Sequence, residues 1–315
     1  MGYIPANEGV QILHYSAEQI QETFNKASLA FPELAKGATP LSMGMFGLVL
    51  EHEDTTITKI MFRPKDEYWF NLAKTHTENE ITALRLFTEY PLEGVVTPSL
   101  IGEPTILDNQ DYLGYYQISK LPGERMWWYP QEGQRSDSVW LKRGGEEAGH
   151  LLAKFHRAAL NIPSELLMGG KSTKNGKISQ VEMFSDETNR ALAKADTYLQ
   201  EHKIAGVIHG DFHGGNIMVN PNNEVTGVID FGFTSQSENI FYDFMNAKEE
   251  FMPSLIHGYE QESGQNIDRH VITASLLGKW VDRFIKMSEG DLPDKKKAAI
   301  TKIHGYLNDL APVIA

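Results

Sequence analysis

The chain has no cysteine among its 315 residues. That excludes disulfides, thiolate nucleophiles and zinc sites built on cysteine. Positive charge is also scarce: 29 lysines and arginines face 42 acidic residues, a formal net charge of −13. Nucleic-acid affinity rests largely on clustered positive charge, so a general polyanion binder is disfavoured and no nucleic-acid partner is expected. An acidic surface suits solubility first and a cationic substrate second. No stretch reaches the ~18 uninterrupted apolar residues that a membrane span requires. The segment from Met1 to Glu22 lacks a basic region followed by an apolar run, so no secretory signal is visible. The expectation is a cytoplasmic protein with no membrane partner.

What the chain does contain is organised in two parts. Ser16-Ala17-Glu18-Gln19 reads as a capping box, followed by Ile20, Phe24, Ala27 and Phe31 at helical spacing. From about Ala38 the pattern shortens into strands, at Leu48-Val49-Leu50 and at Ile57 to Phe62, with a polar turn between them. Thr77 to Phe87 is helical again, and Tyr112 to Ile118 is a further strand that Pro122-Gly123 must break. Beyond it the chain is mainly helical, from Glu146 to Leu160 and from a Ser185 cap to about His202. Short strands at Val207-Ile208 and Val225 to Ile229 interrupt this part. The sequence therefore predicts an α+β chain in two lobes, 1–121 rich in strands and 122–315 mainly helical.

The informative segment is Val207-Ile208-His209-Gly210-Asp211-Phe212-His213-Gly214-Gly215-Asn216-Ile217-Met218-Val219: apolar strand, polar loop, apolar strand. Such a loop aims Asp211 and Asn216 at one point while the strands fix its ends. Fourteen residues after Asn216 comes Val228-Ile229-Asp230-Phe231-Gly232, an acidic group at the end of another apolar strand. Magnesium takes hard oxygen ligands, commonly one or two carboxylates together with the phosphates of a nucleotide, and Asn216 and Asp230 are suitable. Asp211 is then left to orient and deprotonate a hydroxyl.

This arrangement, HxDxxxxN followed by Asp-Phe-Gly, resembles the catalytic and metal-binding signature of the protein-kinase-like fold. The His-Gly-Asp opening, with His213 where protein kinases usually carry lysine, resembles in particular the aminoglycoside phosphotransferase and choline kinase-like superfamily. The resemblance spans roughly Ala38 to Ala247 and implies parts in a set order. Ser42 to Val49 takes the place of a glycine-containing loop over the phosphates, with Gly44 and Gly47 permitting close backbone approach. Taken alone, it equally reads as a tight hairpin turn. Lys59 matches the lysine that contacts the α- and β-phosphates, and Glu80 its partner carboxylate, with Glu78 as the competitor. Either would pass for a surface charge by itself. Backbone near Ser119 and Leu121 would meet the adenine edge. His156 is expected to be structural, Asp243 to support the catalytic region, and His209 to fix the loop. His213 either approaches the γ-phosphate or caps the loop. The implied activity is transfer of the γ-phosphoryl of ATP or GTP, with Mg2+, to a small-molecule hydroxyl acceptor, an aminoglycoside or other amino-bearing compound being one class.

Other readings stand beside this one. Gly210-Asp211-Phe212-His213-Gly214 reproduces the GDxHG signature of two-metal phosphoesterases, and Gly290 to Asp294 imitates their second element. A later Gly-Asn-His element is missing, however. A nucleotide-binding protein without transferase activity is a further alternative, although none of the expected catalytic groups is absent. A protein kinase is disfavoured because Gly232 to Asp243 is too brief for an extended activation segment. Glu238, Glu249 and Glu250 either meet an amino-bearing substrate or form a solvated face. Trp127, Trp128 and Tyr129 either pack or line an acceptor pocket.

Overall fold

Local signals set the first elements. The Ser16 hydroxyl accepts from Gln19 N at 3.1 Å while the Gln19 side chain accepts from Ser16 N at 2.9 Å, closing the reciprocal cap of helix α1 (Ala17–Ala30). The computed structural model describes residues 15–53, 55–107, 109–126, 138–167, 178, 181–222, 224–247, 250–285, 287 and 293–314. The aromatic run Trp127 to Tyr129, Glu249 and residues 290–292 lie outside them. A single turn, α2 (Pro32–Ala35), leads into a hairpin of β1 (Ala38–Met43) and β2 (Gly47–His52), then β3 (Thr56–Phe62) and helix α3 (Glu67–Glu89). β4 (Leu100–Ile106) and β5 (Tyr112–Ser119) complete an antiparallel five-stranded sheet in the order β1-β2-β3-β5-β4.

Side chains alternate across a strand, so each face of this sheet has its own core. Leu48, Leu50 and Ile60 are buried with Ala27 of α1, and Ile20 and Phe24 pack against them. Ile57 and Met61 look the other way and join Ala73, Ile81 and Leu84 of α3. That second core continues without a break into the rest of the molecule.

The second lobe is helical: α4 (Ser138–Ala159), α5 (Asp186–His202), α6 (Met252–Ser263), α7 (Arg269–Ile285) and α8 (Pro293–Ile314). Among these helices lie β6 (Glu124–Arg125), β7 (Gly206–Ile208), β8 (Ile217–Val219), β9 (Val225–Val228) and β10 (Ser235–Ser237). They pair as β6-β8-β9 and as β7 with β10. The architecture is the α+β, two-lobed, protein-kinase-like fold. α3 and α4 begin well before the predicted Thr77 and Glu146, whereas Ser185 caps α5 as expected, accepting from Thr188 N at 3.2 Å. Among the described residues no helix is long and apolar enough to cross a membrane.

Candidate active site between the sheet and the helical lobe

Strand alternation places Lys59 on the face shared by Ile57 and Met61, the one directed at α3. Residues four apart share a face of a helix, so α3 presents His76 and Glu80 together. Lys59 Nζ lies 2.7 and 2.9 Å from the two Glu80 oxygens. The pair is buried, with side chains 15% and 1% exposed. Burial disfavours the ammonium, yet the Glu80 and Asp230 carboxylates outweigh it and hold the Lys59 pKa above normal. Tyr116 of β5 donates to Glu80 Oε2; burial and then Glu80 push its hydroxyl pKa well up, so it stays a donor. Glu78 instead points outward, 3.9 Å from Lys74.

The β1–β2 connection is a tight turn, Gly44 N donating to Gly47 O at 2.9 Å, and it also roofs a cavity. At Gly47 a Cβ would stand 2.4 Å from Ile60 O, so the close approach of β2 to β3 requires glycine there. The buried Phe46 at the turn lies with its ring 5.0 Å from that of His76. The cavity, of ≈ 230 Å³, is lined by residues 44–49, Lys59, Met61, His76, Glu80, Tyr116, Asp211, Asp230 and Phe233. Ser119 and Leu121 are not part of this lining. Ser119 ends β5 with its N–H donated to Ser99 O and its hydroxyl accepting from Ser99 N.

The loop between β7 and β8 is held from below by Asp243. This fully buried carboxylate accepts from His209 N at 2.8 Å and Gly210 N at 2.7 Å. His156 of α4 contacts it at 3.0 Å and reaches Tyr259 of α6 with its other nitrogen, so His156 is structural. His209 Nε2 donates to Ile229 O at 3.1 Å and Nδ1 accepts from Asp211 N at 3.3 Å, fixing the tautomer and tying the loop to the segment before Asp230. Burial lowers the His209 pKa despite the nearby aspartates. His213 Nδ1 caps the single 3₁₀ turn Gly214–Asn216 by accepting from Gly215 N, while its Nε2 lies 3.3 Å from Asp211 Oδ2.

Asn216 Nδ2 donates to Asp211 O at 3.0 Å and to Asp211 Oδ2 at 3.2 Å, so Asp211 and Asn216 are joined directly. Asn216 O in turn accepts from Ile229 N at 2.9 Å, which brings Asp230 alongside. Burial would raise the Asp211 pKa, but His213 more than offsets it and the carboxyl is held below its ordinary value. Asp230 sits at φ +69°, a left-handed conformation that aspartate tolerates better than most residues. Burial opposes its charge as well, yet Lys59 and His76 hold its pKa well below the carboxylate range.

One observation bears on a cation. Asp230 Oδ1 is buried, and its one polar neighbour among the described residues, His76 Nε2 at 3.3 Å, falls short of good hydrogen-bond geometry. A buried carboxylate oxygen so weakly satisfied is a natural cation ligand, and commitment of the Asn216 amide nitrogen leaves its oxygen as a second. The donor set fits magnesium.

Four further groups at this site were not singled out from the sequence. Arg125 is close enough for Asp230 to raise its pKa, although burial wins and lowers it. Tyr116, Phe46 and His76 complete the set; only His76 had a readable cue, its position four residues before Glu80. Of the acidic residues considered for a substrate, Glu238 is paired with Lys203 and Glu250 is exposed.

Residues 70–271 match the family described as "APH: Phosphotransferase enzyme family". No curated protein matches the chain in sequence. Among solved structures, the GDP complex of wild-type aminoglycoside 2'-phosphotransferase-IIIa is similar at 15% identity and TM-score 0.63, over 92% of this chain and 98% of that one. The ADP-bound aminoglycoside phosphotransferase APH(2'')-Ib is 17% identical with TM-score 0.53, over 93% and 97%. Amicoumacin kinase hAmiN, in complex with AMP-PNP, Ca2+ and Ami, is 15% identical with TM-score 0.53, over 94% of each chain. These likenesses concern the fold. With more than half of its length matched, the chain belongs to the phosphotransferase enzyme family.

Proposed function

We propose that the protein is a small-molecule kinase that moves the γ-phosphoryl of ATP or GTP to a hydroxyl of a small acceptor, with Asp211 as the base. The observation that carries this reading is the convergence on one cavity of the Gly44–Gly47 turn, the buried Lys59–Glu80 pair and the Asp211 and Asp230 carboxylates. In the proposed reaction the acceptor oxygen forms a bond to the γ-phosphorus and the bond from that phosphorus to its bridging oxygen breaks. The hydroxyl proton passes to Asp211 and a nucleoside diphosphate leaves. Asn216 and His213 both engage Asp211 Oδ2, which leaves Oδ1 to receive the hydroxyl. A carboxylate held ionised orients the nucleophile; in a loose phosphoryl-transfer transition state such positioning outweighs basicity.

Lys59, kept cationic by its neighbours, would face the phosphates, and the Gly44 and Gly47 backbone would lie over them. Backbone at Ser119 and Leu121 would meet the purine. Asn216 and Asp230 would hold Mg2+, which when bound offsets phosphate charge. The lobes would meet at residues 121 and 122, a placement supported by Glu124, which already pairs with Val219 of the second lobe. For the acceptor we propose an amino-bearing hydroxyl compound. Related structures hold kanamycin and gentamicin, and the net charge of −13 favours a cation.

The test is an ATP- and GTP-consumption screen across aminoglycosides, nucleoside antibiotics, amino alcohols and sugars. The expected result is an acceptor-dependent, Mg2+-dependent signal that Asp211→Asn lowers by about 10² or more. Turnover without dependence on an acceptor, or full activity in Asp211→Asn, rejects the assignment.

A further inference from the structure

His76 joins three parts of the cleft: helix α3, the glycine-containing turn and the Asp230–Phe233 segment. It projects from α3 one turn before Glu80, on the same face, and is 8% exposed. Its Nε2 lies 3.3 Å from Asp230 Oδ1. Its ring lies 5.0 Å from Phe46 of the glycine-containing turn and 4.9 Å, edge-on, from Phe233. A Cβ built on Gly232 would fall 2.1 Å from His76 Nε2, so the glycine of the Asp-Phe-Gly turn vacates the space that this imidazole fills. Asn79, on the next turn of α3, donates to Gly232 O at 3.3 Å and fastens the same segment.

The chemistry explains why histidine stands there. Two aromatic rings demand a flat, largely apolar neighbour, and Asp230 demands a donor on one edge of it. A carboxylate only accepts, so the edge facing Asp230 carries the N–H. Asp230 Oδ1 has no other hydrogen-bonding neighbour among the described residues, so the His76 N–H, 3.3 Å away, is the group placed to direct it, beside the longer-range pull of Lys59. We infer that His76 is a positioning residue: it sets the orientation of Asp230 for the magnesium-bound nucleotide and couples it to the glycine-containing turn through Phe46. Because Glu80 and His76 share one helical face, the placement of α3 sets Lys59 and Asp230 together. The inference rests on the kinase reading given above.

The test is calorimetric titration of the full chain with AMP-PNP, with and without Mg2+, beside steady-state kinetics. In the wild type Mg2+ should tighten nucleotide binding. In His76→Ala that tightening should fall by about tenfold or more, as expected when a group orienting a metal ligand is removed. Binding without Mg2+ should stay within about twofold of the wild type, and KM for Mg2+-nucleotide should rise more than kcat falls. His76→Gln, which restores a donor, should recover much of the loss. Gly232→Ala displaces the imidazole, so it should mimic His76→Ala in the wild type and add little in the His76→Ala background, a non-additive pair. Unchanged Mg2+ dependence in His76→Ala overturns the inference. So do equal losses with and without Mg2+ that Gln does not repair, and so does additivity with Gly232→Ala. A wild type that binds AMP-PNP in neither condition overturns the kinase reading itself.

Discussion

Asp243 is a carboxylate with no exposed surface whose two oxygens receive the backbone N–H groups of His209 and Gly210. Removing it strands two buried donors and the His156 contact, so Asp243→Ala should lower unfolding free energy by about 3 kcal/mol or more, read as a shift in denaturant midpoint. An unchanged midpoint would mean that the loop is held by other groups. The two glycines of the β1–β2 turn make a sharper comparison. At Gly47 a Cβ meets Ile60 O at 2.4 Å, whereas at Gly44 the nearest atom is Gly47 O at 4.0 Å. Gly47→Ala should therefore cost about 1–3 kcal/mol, and Gly44→Ala less than about 0.5 kcal/mol. Comparable losses in the two variants would contradict this. In the sequence these glycines look alike; only the register that sets Gly47 opposite Met61 separates them. That Asp211, Asn216 and Asp230 would meet could be read from strand and loop lengths, and the structure brings the three side by side. Tyr116 and Arg125 were not, since each reaches the cleft from a strand whose neighbours no local pattern reveals.

At the level of elements, α3 matters most because it carries His76 and Glu80 into the cleft. Its N-terminus is capped by Asp66, whose carboxylate accepts from Trp69 N at 3.1 Å. Asp66→Ala should destabilise the protein by about 1 kcal/mol, the usual cost of losing such a cap. A larger fall would indicate that the first turn also packs. This start escaped a reading by periodicity because Tyr68 and Trp69 are 68% and 41% exposed, so apolar residues there do not trace the buried face. The strong pattern begins only where Ala73, His76, Thr77 and Glu80 turn inward. β1 and β4 were hidden for another reason. Pro40 and a register shift interrupt the first, while Gly102 at φ +66°, Pro104 and another shift interrupt the second. Alternation fails at such irregularities even though pairing resumes beyond them. α1 and α5, by contrast, announced themselves through the side-chain caps Ser16 and Ser185, which act within four residues and need no tertiary context.

Across the whole molecule one core runs from the inner face of the sheet, past the β7–β8 loop, to α8, so stability and the state of the site are linked. His209 lies inside that core, among Phe155, Phe212 and Phe231, with both ring nitrogens engaged. Its folded pKa is lowered by burial, whereas in the unfolded chain it returns to about 6.5. Between those two values the unfolded chain holds a proton that the folded one refuses, and stability therefore rises with pH through this window. The contribution is complete above about pH 6.5 and is lost on acidification at up to about 1.4 kcal/mol per pH unit. Asp211, Glu262 and Asp268 act in the same sense lower down. Burial opposes each, but His213, Arg157 and Tyr198 respectively more than offset it, so their contribution is lost only as pH falls below about 4. His209→Gln keeps one donor and one acceptor but cannot take the proton. It should remove the upper part of the decline and retain the lower. Urea midpoints of both proteins between about pH 7.5 and 3.5 check this, since parallel profiles above pH 5 would show that His209 does not couple the loop to folding.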